Sequence, residues 1–583
     1  MGVNEKIESS IPRKLTLWRL TFDQGVVTQE VLRHPYPGSG TEESPYAVTW
    51  IPDDPRNPMN FSEKQKWFYT LLVATATLAV SLVSSAYTGG VAEIEEQFNI
   101  GSEVSTLGVS LFVLGFAIGP LLWAPLSELF GRQILFFGTY AALTVFNAAI
   151  CGSENAWTLI IFRFLAGSFG SSPLTNAGGV IADIFPAKQR GIAMSLFASA
   201  PFLGPVLGPI IGGFLGMTKG WKWVMGFLAI LSGAVWIIGG LFLPETYAPV
   251  LLRRRAEKLS QLTGNVYKSK IEVDEGTVSF QESFQLALSR PWILLCREPI
   301  VFLLSLYMAI VYGTLYMLFA AFPIVYQVDR GWNQGVGGLA FLGIMVGMLA
   351  AVVYSLWENQ RYVKVEEEHD GFAPPEARLN SCLIAAVTIP VGLFWFAWTN
   401  YPSIHWMASI AAGVPFGFGM VLVFSSIMNY LIDAYTIFAA SVLAANSVLR
   451  SLFGASFPLF TTYMYNNLGI HWASSIPAFL ALACMPLPFL FYKYGPAIRE
   501  RCKFAAQSDA FMRKVREQAK SAPRQINETG LLSDQNLNPG QTDERSHAIS
   551  DTRTRTANSL YRTPTYEGNP YDVDRINTRE SFR

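Results

Sequence analysis

One apolar segment of this chain carries the run Gly204-Pro205-Val206-Leu207-Gly208-Pro209-Ile210-Ile211-Gly212-Gly213. Its glycines at 204, 208 and 212 recur every four residues, so on a helix they form a nearly straight stripe without side chains. Such a stripe lets a neighbouring helix approach backbone to backbone, as helices do where lipid removes the hydrophobic drive for association. Each proline of the run deletes an internal N–H donor and favours a kink. The run therefore predicts a bent, closely packed membrane helix.

The composition supports a membrane protein. Of 583 residues, 51% are hydrophobic and only 15% are charged, against about 25% charged in a typical soluble domain. The net charge is zero, which gives no reason to expect a nucleic-acid partner. Five scattered cysteines lack the spacing of metal ligands, so we expect neither a metal site nor a disulfide framework. We also expect no cofactor.

Twelve apolar segments are long enough to cross a bilayer, which takes roughly 20 residues each. We predict spans near 67–88, 104–124, 134–151, 158–181, 192–215, 223–243, 300–323, 335–357, 380–398, 404–428, 437–462 and 473–492.

The Lys and Arg residues of the connections predict the orientation of these spans. Fourteen of them lie on one side, eight of these in the loop 244–299, whereas the other side has only Lys219, Lys222 and Arg330. Because positively charged connections stay in the cytosol, we predict that both termini are cytosolic.

The long loop divides the spans six and six, which is the layout of two pseudo-symmetric bundles around a midplane cavity. We therefore predict an all-α membrane protein with twelve transmembrane helices in two six-helix bundles. The predicted segments are a cytosolic N-terminal tail at 1–65, bundles at 66–243 and 300–493, the cytosolic loop at 244–299 and a cytosolic C-terminal tail at 494–583. The polar composition of both tails predicts that they are largely disordered.

The connection between spans 2 and 3 carries a recognisable pattern, Pro125-Leu126-Ser127-Glu128-Leu129-Phe130-Gly131-Arg132-Gln133. It resembles the cytosolic signature of the major facilitator superfamily, Gly-x-Leu-x-Asp-x-x-Gly-Arg-Arg/Lys. Glu128 takes the acid position, Gly131 and Arg132 match, and Gln133 replaces the second cation. The resemblance implies the fold of two six-helix bundles described above.

Further motifs extend the resemblance over roughly residues 50–505. Arg163-Phe164-Leu165-Ala166-Gly167 is similar to the Arg-x-x-x-Gly motif of span 4 in the superfamily, and the glycine-proline run matches the motif that marks antiporters. The segments 54–62, 450–460 and 492–496 are similar to those of fungal twelve-span drug:proton antiporters, a group that includes multidrug, toxin and polyamine exporters.

The resemblance and the positions of charged residues together nominate gating or coupling residues. These are Glu128, Gly131, Arg132, Arg163, Asp183, Arg190, Asp433 and Arg450. Arg163 either faces a cavity or snorkels to the interface, and the superfamily's arginine there is thought to tune protonation of an acid. Arg450, near the bilayer middle, either has a role in gating or pairs with another group where two helices cross. Asp183 is a helix-end latch or a proton carrier.

Polar residues at otherwise apolar levels are the candidates for a cargo cavity: Ser84, Tyr87, Asn176, Tyr307, Tyr312, Asn429 and Asn446. Each of them could instead make a helix–helix hydrogen bond. No span carries an acidic residue deep in its middle, which leaves the proton-binding group open. This absence favours lipophilic or neutral cargo over polycations, because a polycation normally needs desolvated carboxylates.

The sequence thus predicts a transporter rather than an enzyme: a proton-coupled exporter of amphipathic small molecules such as drugs, fungicides or a self-made toxin. A polyamine:proton antiporter and, less favoured, a nutrient importer of the same fold are the alternatives. An ATP-driven pump would need a Gly-Lys-Ser/Thr loop, which the chain lacks. We expect a functional monomer in the plasma membrane, or alternatively the vacuolar membrane, whose partners are cargo, protons and lipid.

Overall fold

The computed structural model describes residues 17–276, 280–369 and 373–521 of the chain. The first six long helices, named spans 1 to 6, are Glu63–Ala86, Ser102–Phe130, Arg132–Cys151, Ala156–Ile184, Ala187–Lys219 and Trp221–Phe242. Spans 7 to 10 are Pro299–Phe322, Leu342–Glu368, Asn380–Trp398 and Gly413–Ala434. Gly469, whose φ of 74° is not helical, divides Ala439–Cys484 into span 11 and the first part of span 12. The helix Pro486–Arg501 continues span 12 to its end.

Ten helical stretches of the described residues are long and apolar enough to cross a membrane. One of them, Thr436–Arg501, contains both span 11 and span 12. Span 4 is outside these ten, but it is 29 residues long and occupies the predicted position. The prediction of an all-α membrane protein is therefore confirmed, and the helices agree with twelve crossings. Span 8 continues to Glu368, so it ends later than the predicted 357.

Shorter elements precede, connect, continue or follow the spans. The α-helices are Leu17–Phe22, Gln29–Arg33, Val91–Phe98, Ala248–Thr263, Lys270–Glu275, Phe280–Arg297, Gln334–Gly338, Trp406–Ala411, Pro486–Arg501 and Lys503–Ser521. Pro58–Asn60, Tyr87–Gly90, Leu339–Phe341, Pro375–Leu379 and Thr436–Phe438 are 3₁₀-helices, and Pro323–Asp329 is a π-helix. Two short strands, β1 (Tyr46–Val48) and β2 (Tyr267–Ser269), pair in parallel.

Helix packing repeats between spans 1–6, the first half, and spans 7–12, the second half. In the first half span 1 packs on span 5, span 2 on span 4 and span 3 on spans 4 and 6. In the second half span 7 packs on span 11, span 8 on span 10 and span 9 on spans 10 and 12. The halves meet where span 2 packs on span 11 and where span 5 packs on Gln334–Gly338 and span 8. We call the end where Glu63 begins and Arg501 ends the terminal face, and the other end the distal face.

Residues 17–62 form an ordered cap on the terminal face, so the prediction of disorder is wrong for them. Strand β1 pairs with β2, and a small apolar core joins the segment to the helix Ala248–Thr263. This core includes Val27, Val31, Val48, Leu252 and Leu259. The composition of the segment predicted disorder because the segment is largely polar. The residues that bury it lie about two hundred positions later in the chain, where a local composition cannot reveal them.

A buried ion pair holds the cap together. Arg255 Nη2 donates to Asp54 Oδ1 at 3.1 Å, and both side chains are almost fully buried. Arg56 donates from Nη1 to the carbonyl of Glu245 at 3.1 Å. Burial lowers the pKa of Arg56 to about 10, partly opposed by the Glu245 carboxylate. Arg56 therefore stays protonated at neutral pH and links the cap to the end of span 6.

The chain after span 12 is also ordered as far as the structure describes it. Arg499 bonds Glu376 at 2.9 Å and Asp509 at 2.7 Å. Glu298 accepts from the backbone N–H of Phe504 at 3.0 Å, which docks the helix Lys503–Ser521. The prediction of disorder from 494 onward is thus wrong up to 521. Residues 1–16 and 522–583 lie outside the described part of the chain.

Asp54→Ala should loosen the cap, because it leaves the Arg255 guanidinium buried without its carboxylate. Breaking a buried pair in this way costs about 3–5 kcal/mol. We expect limited proteolysis of the full-length protein to cut residues 17–62 much faster than in the wild type. Asp23→Ala is the matched control: its pair with Lys258 is 35–39% exposed, where such pairs contribute about 0–1 kcal/mol. Equal cutting rates for both variants would contradict the assignment.

Candidate functional site

The glycine stripe of span 5 lies directly against span 1. A Cβ added at Gly204 would stand 2.6 Å from the carbonyl oxygen of Leu78, and one at Gly208 would overlap Ser85 Oγ. At Gly212 it would overlap the carbonyl oxygen of Ala86. The two backbones are therefore in contact, as the spacing of the glycines predicts.

The other edge of the same run faces the second half. A Cβ at Gly213 would lie 2.8 Å from the carbonyl oxygen of Gln334, and one at Gly338 would lie 2.6 Å from that of Pro209. Both contacts are near the distal face. Span 5 therefore packs on span 1 of its own half through the glycine stripe. Through the adjacent edge of the same helix it contacts the second half.

Arg163 is fully buried inside the first half and does not snorkel. Its Nε donates to the carbonyl of Gly108 at 2.8 Å, and Nη1 and Nη2 donate to those of Val83 and Ser84, each at 2.8 Å. The last carbonyls of a helix lack partners within it, and a cation there is favoured by the helix dipole. Arg163 therefore stabilises the end of span 1, where Tyr87–Gly90 turns into a 3₁₀-helix.

A hydrogen bond next to this arginine crosses between the halves. Ser84 Oγ lies 2.8 Å from the hydroxyl of Tyr316 on span 7, and both groups are buried. Tyr312, one turn earlier on span 7, donates to Tyr316 at 3.4 Å. Ser84 and Tyr312 are among the residues predicted to line the cavity, whereas Tyr316 is not. The four-residue spacing of the two tyrosines, which places them on one helix face, could have revealed it.

Arg450 lies on the second-half side of this bridge, between aromatic rings. Its guanidinium carbon is 4.8 Å from the ring centre of Tyr312 and 4.9 Å from that of Phe424. Phe202 of the first half contacts the Phe424 ring at 4.4 Å. Arg450 is 7% exposed, and its buried Nε has no hydrogen-bond partner among the described residues. Arg163 also lies over ring faces, those of Tyr87 and Phe112. The difference is that Arg163 additionally bonds three carbonyl oxygens.

Arg132 organises the terminal face of the first half. Its guanidinium donates to Ser127 Oγ at 2.6 Å and to Asn176 Oδ1 at 3.4 Å, and it pairs with Asp183 at 3.5 Å. Asn176, predicted to line the cargo cavity, therefore lies beside Arg132. The predicted neighbours Arg132 and Asp183 are brought together.

Glu245 was not predicted from the sequence, but it holds the start of span 3 in place. Its buried carboxylate accepts from the backbone N–H groups of Arg132 at 3.0 Å and Gln133 at 3.1 Å. Both N–H groups begin span 3, where a helix favours negative charge. Gly131 has a φ of 98°, and a Cβ there would overlap the Glu245 carboxylate. The motif needs glycine at this position for both reasons.

The second half has an equivalent ion pair. Asp433 ends span 10 as Asp183 ends span 4, and it accepts from Arg378 Nε at 3.0 Å. Arg378 precedes span 9 as Arg132 begins span 3, and its guanidinium lies 3.3 Å from the ring centre of Tyr362. Asp433 was predicted as a gating or coupling residue, but Arg378 was not, because no copy of the Gly-Arg motif marks that connection.

The remaining candidates are distributed over the molecule. The Tyr87 hydroxyl donates to the carbonyl of Ser105 at 3.0 Å, and Asn446 donates to Ser305 Oγ at 3.1 Å. Tyr307 is fully buried, and its hydroxyl has no partner among the described residues. Asn429 and Arg190 are partly exposed near the terminal face, and Glu128 lies in the last turn of span 2, close to Arg132.

Comparison with known proteins agrees with this architecture. The family model "Major Facilitator Superfamily" matches residues 73–458. The chain is 69% identical to "Major facilitator superfamily multidrug transporter mdrA" of Aspergillus fumigatus, over 99% of this chain and 98% of that protein. It is 66% identical to "MFS-type efflux pump MFS2" of Trichophyton rubrum, over 98% and 96%. The solved proton:xylose symporter XylE has a similar fold, with a TM-score of 0.54 at 14% identity, covering 74% of this chain and 96% of that one.

Gly208→Leu should force spans 5 and 1 apart. Overpacking a close contact costs about 1–3 kcal/mol or more, so we expect a clearly lower apparent melting temperature of the purified protein. Gly226→Leu in span 6 is the matched control, because a Cβ there meets nothing within 4 Å. An equal effect of both substitutions would show that the backbone contact is not what matters.

Arg163→Lys should destabilise the protein more than Arg450→Lys. A lysine cannot reach the three carbonyls that Arg163 bonds, and each hydrogen bond from a charged group is worth about 1.5–3 kcal/mol. Within the described residues, Arg450 donates to no carbonyl oxygen whose bond the substitution would remove. We expect a fall of several degrees in melting temperature for Arg163→Lys and little change for Arg450→Lys. The reverse order would contradict the contrast between the two arginines.

Proposed function

Because the chain belongs to the major facilitator superfamily, we propose that it is a proton-coupled exporter of amphipathic small molecules. Cargo would include drugs, fungicides or a toxin made by the same cell. The names of its relatives, a multidrug transporter and an efflux pump, support this class of cargo. The chain is a multi-pass membrane protein, and we place it in the plasma membrane as a functional monomer with its terminal face in the cytosol.

The observation that carries the proposal is the way in which the two halves touch. Near the distal face they meet through Gly213 and Gln334 and through Pro209 and Gly338, and in the interior Ser84 bonds Tyr316. Backbone contacts and one hydrogen bond between hydroxyls form and break at low cost. They suit two halves that rock against each other to open a site alternately on each side.

Ion pairs within each half support rigid-body motion. The pair of Arg132 with Asp183 ties spans 3 and 4, and the pair of Arg378 with Asp433 ties the start of span 9 to span 10. Protonation of either carboxylate would weaken its pair and loosen the terminal face. We propose Asp183 and Asp433 as the groups through which protons act, with Glu128 and Arg190 on the same face as further coupling residues. Cargo and proton then drive the cycle through unequal affinity for its two states.

Export of a polyamine is disfavoured by the charges near the bridge between the halves. Within the described residues, the charged groups at this level are Arg163 and Arg450, and both would repel a polycation. An importer remains the weaker alternative, supported only by the fold that the chain shares with a sugar symporter.

Expression in yeast cells that lack their own drug pumps tests the proposal. We expect lower accumulation of several amphipathic fungicides, and recovery of accumulation when a protonophore collapses the proton gradient. The control is a membrane protein that does not transport drugs, expressed at the same abundance. Unchanged accumulation of every compound would contradict export, and export that persists with the protonophore would contradict proton coupling.

A further inference from the structure

Between the halves lies a positive charge, on Arg450, that no carboxylate of the described residues neutralises. Among the described residues, the titratable groups that face the Arg450 guanidinium are the hydroxyls of Tyr312 and Tyr316. Among the described residues, neither Arg163 nor Arg450 has a carboxylate partner. The two arginines nevertheless differ, because Arg163 is fully engaged by backbone carbonyls.

Among the described residues, Arg450 has N–H groups that remain available to a ligand. A guanidinium has five N–H donors in a planar fork, and the buried Nε of Arg450 has no acceptor among the described residues. The contacts it does have are with the faces of Tyr312 and Phe424. Ring faces hold the plane of the fork in place but leave its edge, which is the part that binds a carboxylate in bidentate fashion.

The apolar surroundings come from both halves. Phe202 of span 5 packs edge-on against Phe424 of span 10 with ring centres 4.4 Å apart, and its ring centre is 6.2 Å from that of Tyr312. A planar apolar body could replace one of these ring–ring contacts with a similar one. The site therefore combines a cation that has no carboxylate partner among the described residues with aromatic rings contributed by both halves.

We propose that Arg450 is the anion-binding residue of the cargo site and that the preferred cargo is an amphipathic organic acid. Its carboxylate accepts hydrogen bonds from the Arg450 guanidinium, and its planar apolar body packs among Phe202, Tyr312 and Phe424. This inference rests on the proposed export function and narrows its cargo. It also accounts for the lack of acidic residues deep in the spans, because an anionic cargo brings the negative charge with it.

Occupation of the site would be transmitted to the contact between the halves. Tyr312 contacts Arg450 through its ring and donates its hydroxyl to Tyr316. Tyr316 in turn bonds Ser84 of the first half. An anion at Arg450 competes for the Tyr312 hydroxyl and so alters the bridge that joins the halves.

Binding of a matched set of probes tests the proposal on the purified full-length protein in lipid nanodiscs at pH 7. The probes are 2-naphthoate, its neutral amide and 2-naphthylmethylammonium, which share one ring system and differ in charge. We expect the wild type to bind naphthoate at least tenfold more tightly than the amide. In Arg450→Gln this preference should disappear, while affinity for the amide changes less than twofold. Arg450→Lys keeps the charge without the fork and should retain part of the preference.

Lys222→Gln, which removes an exposed charge at the distal face, is the control and should bind as the wild type does. Equal affinity of the wild type for acid and amide would overturn the proposal, and so would tightest binding of the ammonium probe. A preference for naphthoate that survives in Arg450→Gln would overturn the assignment to Arg450. Failure of the export function is distinguishable, since it would appear as unchanged fungicide accumulation in cells whatever the probes do in nanodiscs.

Discussion

Close approach of two helix backbones, span 5 on span 1, fixes where the functional groups of the first half can lie. Without side chains at Gly204, Gly208 and Gly212, span 5 lies directly against the second half of span 1. The end of span 1 is held from its other side by Arg163 of span 4, which bonds the carbonyls of Val83 and Ser84. That same end presents Ser84 to span 7. The next edge of span 5 then meets the second half at the distal face. The glycines of span 5 thus allow both the close packing within one half and its contact with the other.

The two buried arginines show how the same side chain serves different purposes. Arg163 bonds three carbonyls and holds helices together. Arg450 lies between rings, and its Nε finds no acceptor in the part of the chain that the structure describes. If the cargo is an anion, as proposed, its exit from an inside-negative cell is favoured by about 2.3 kcal/mol per 100 mV. A carboxylate in the middle of the membrane is then unnecessary for charge balance, and protons can act at the ion pairs of the terminal face.

Much of this architecture could be predicted from hydrophobic segments and from the four-residue spacing of the glycines, because both patterns are local. The order of residues 17–62 could not, since Asp54 finds its partner Arg255 only in the folded chain. The role of Glu245 could not be predicted either. It is a single acidic residue after span 6, and only the folded structure shows that its carboxylate accepts from the backbone N–H groups that begin span 3. Arg378 escaped because its connection lacks the motif around Arg132. Side-chain partners that are distant in sequence are thus what local patterns miss.

The central claim, that the halves pivot about a closable distal face, is tested most directly by distances between spin labels at exposed positions on either half. Glu103 at the start of span 2 and Val328 after span 7 are suitable sites, in a protein whose five cysteines are replaced by alanine. The account predicts a short and a long distance whose proportions change between pH 7.5 and pH 5 and on addition of an exported compound. One unchanging distance under all of these conditions would contradict it.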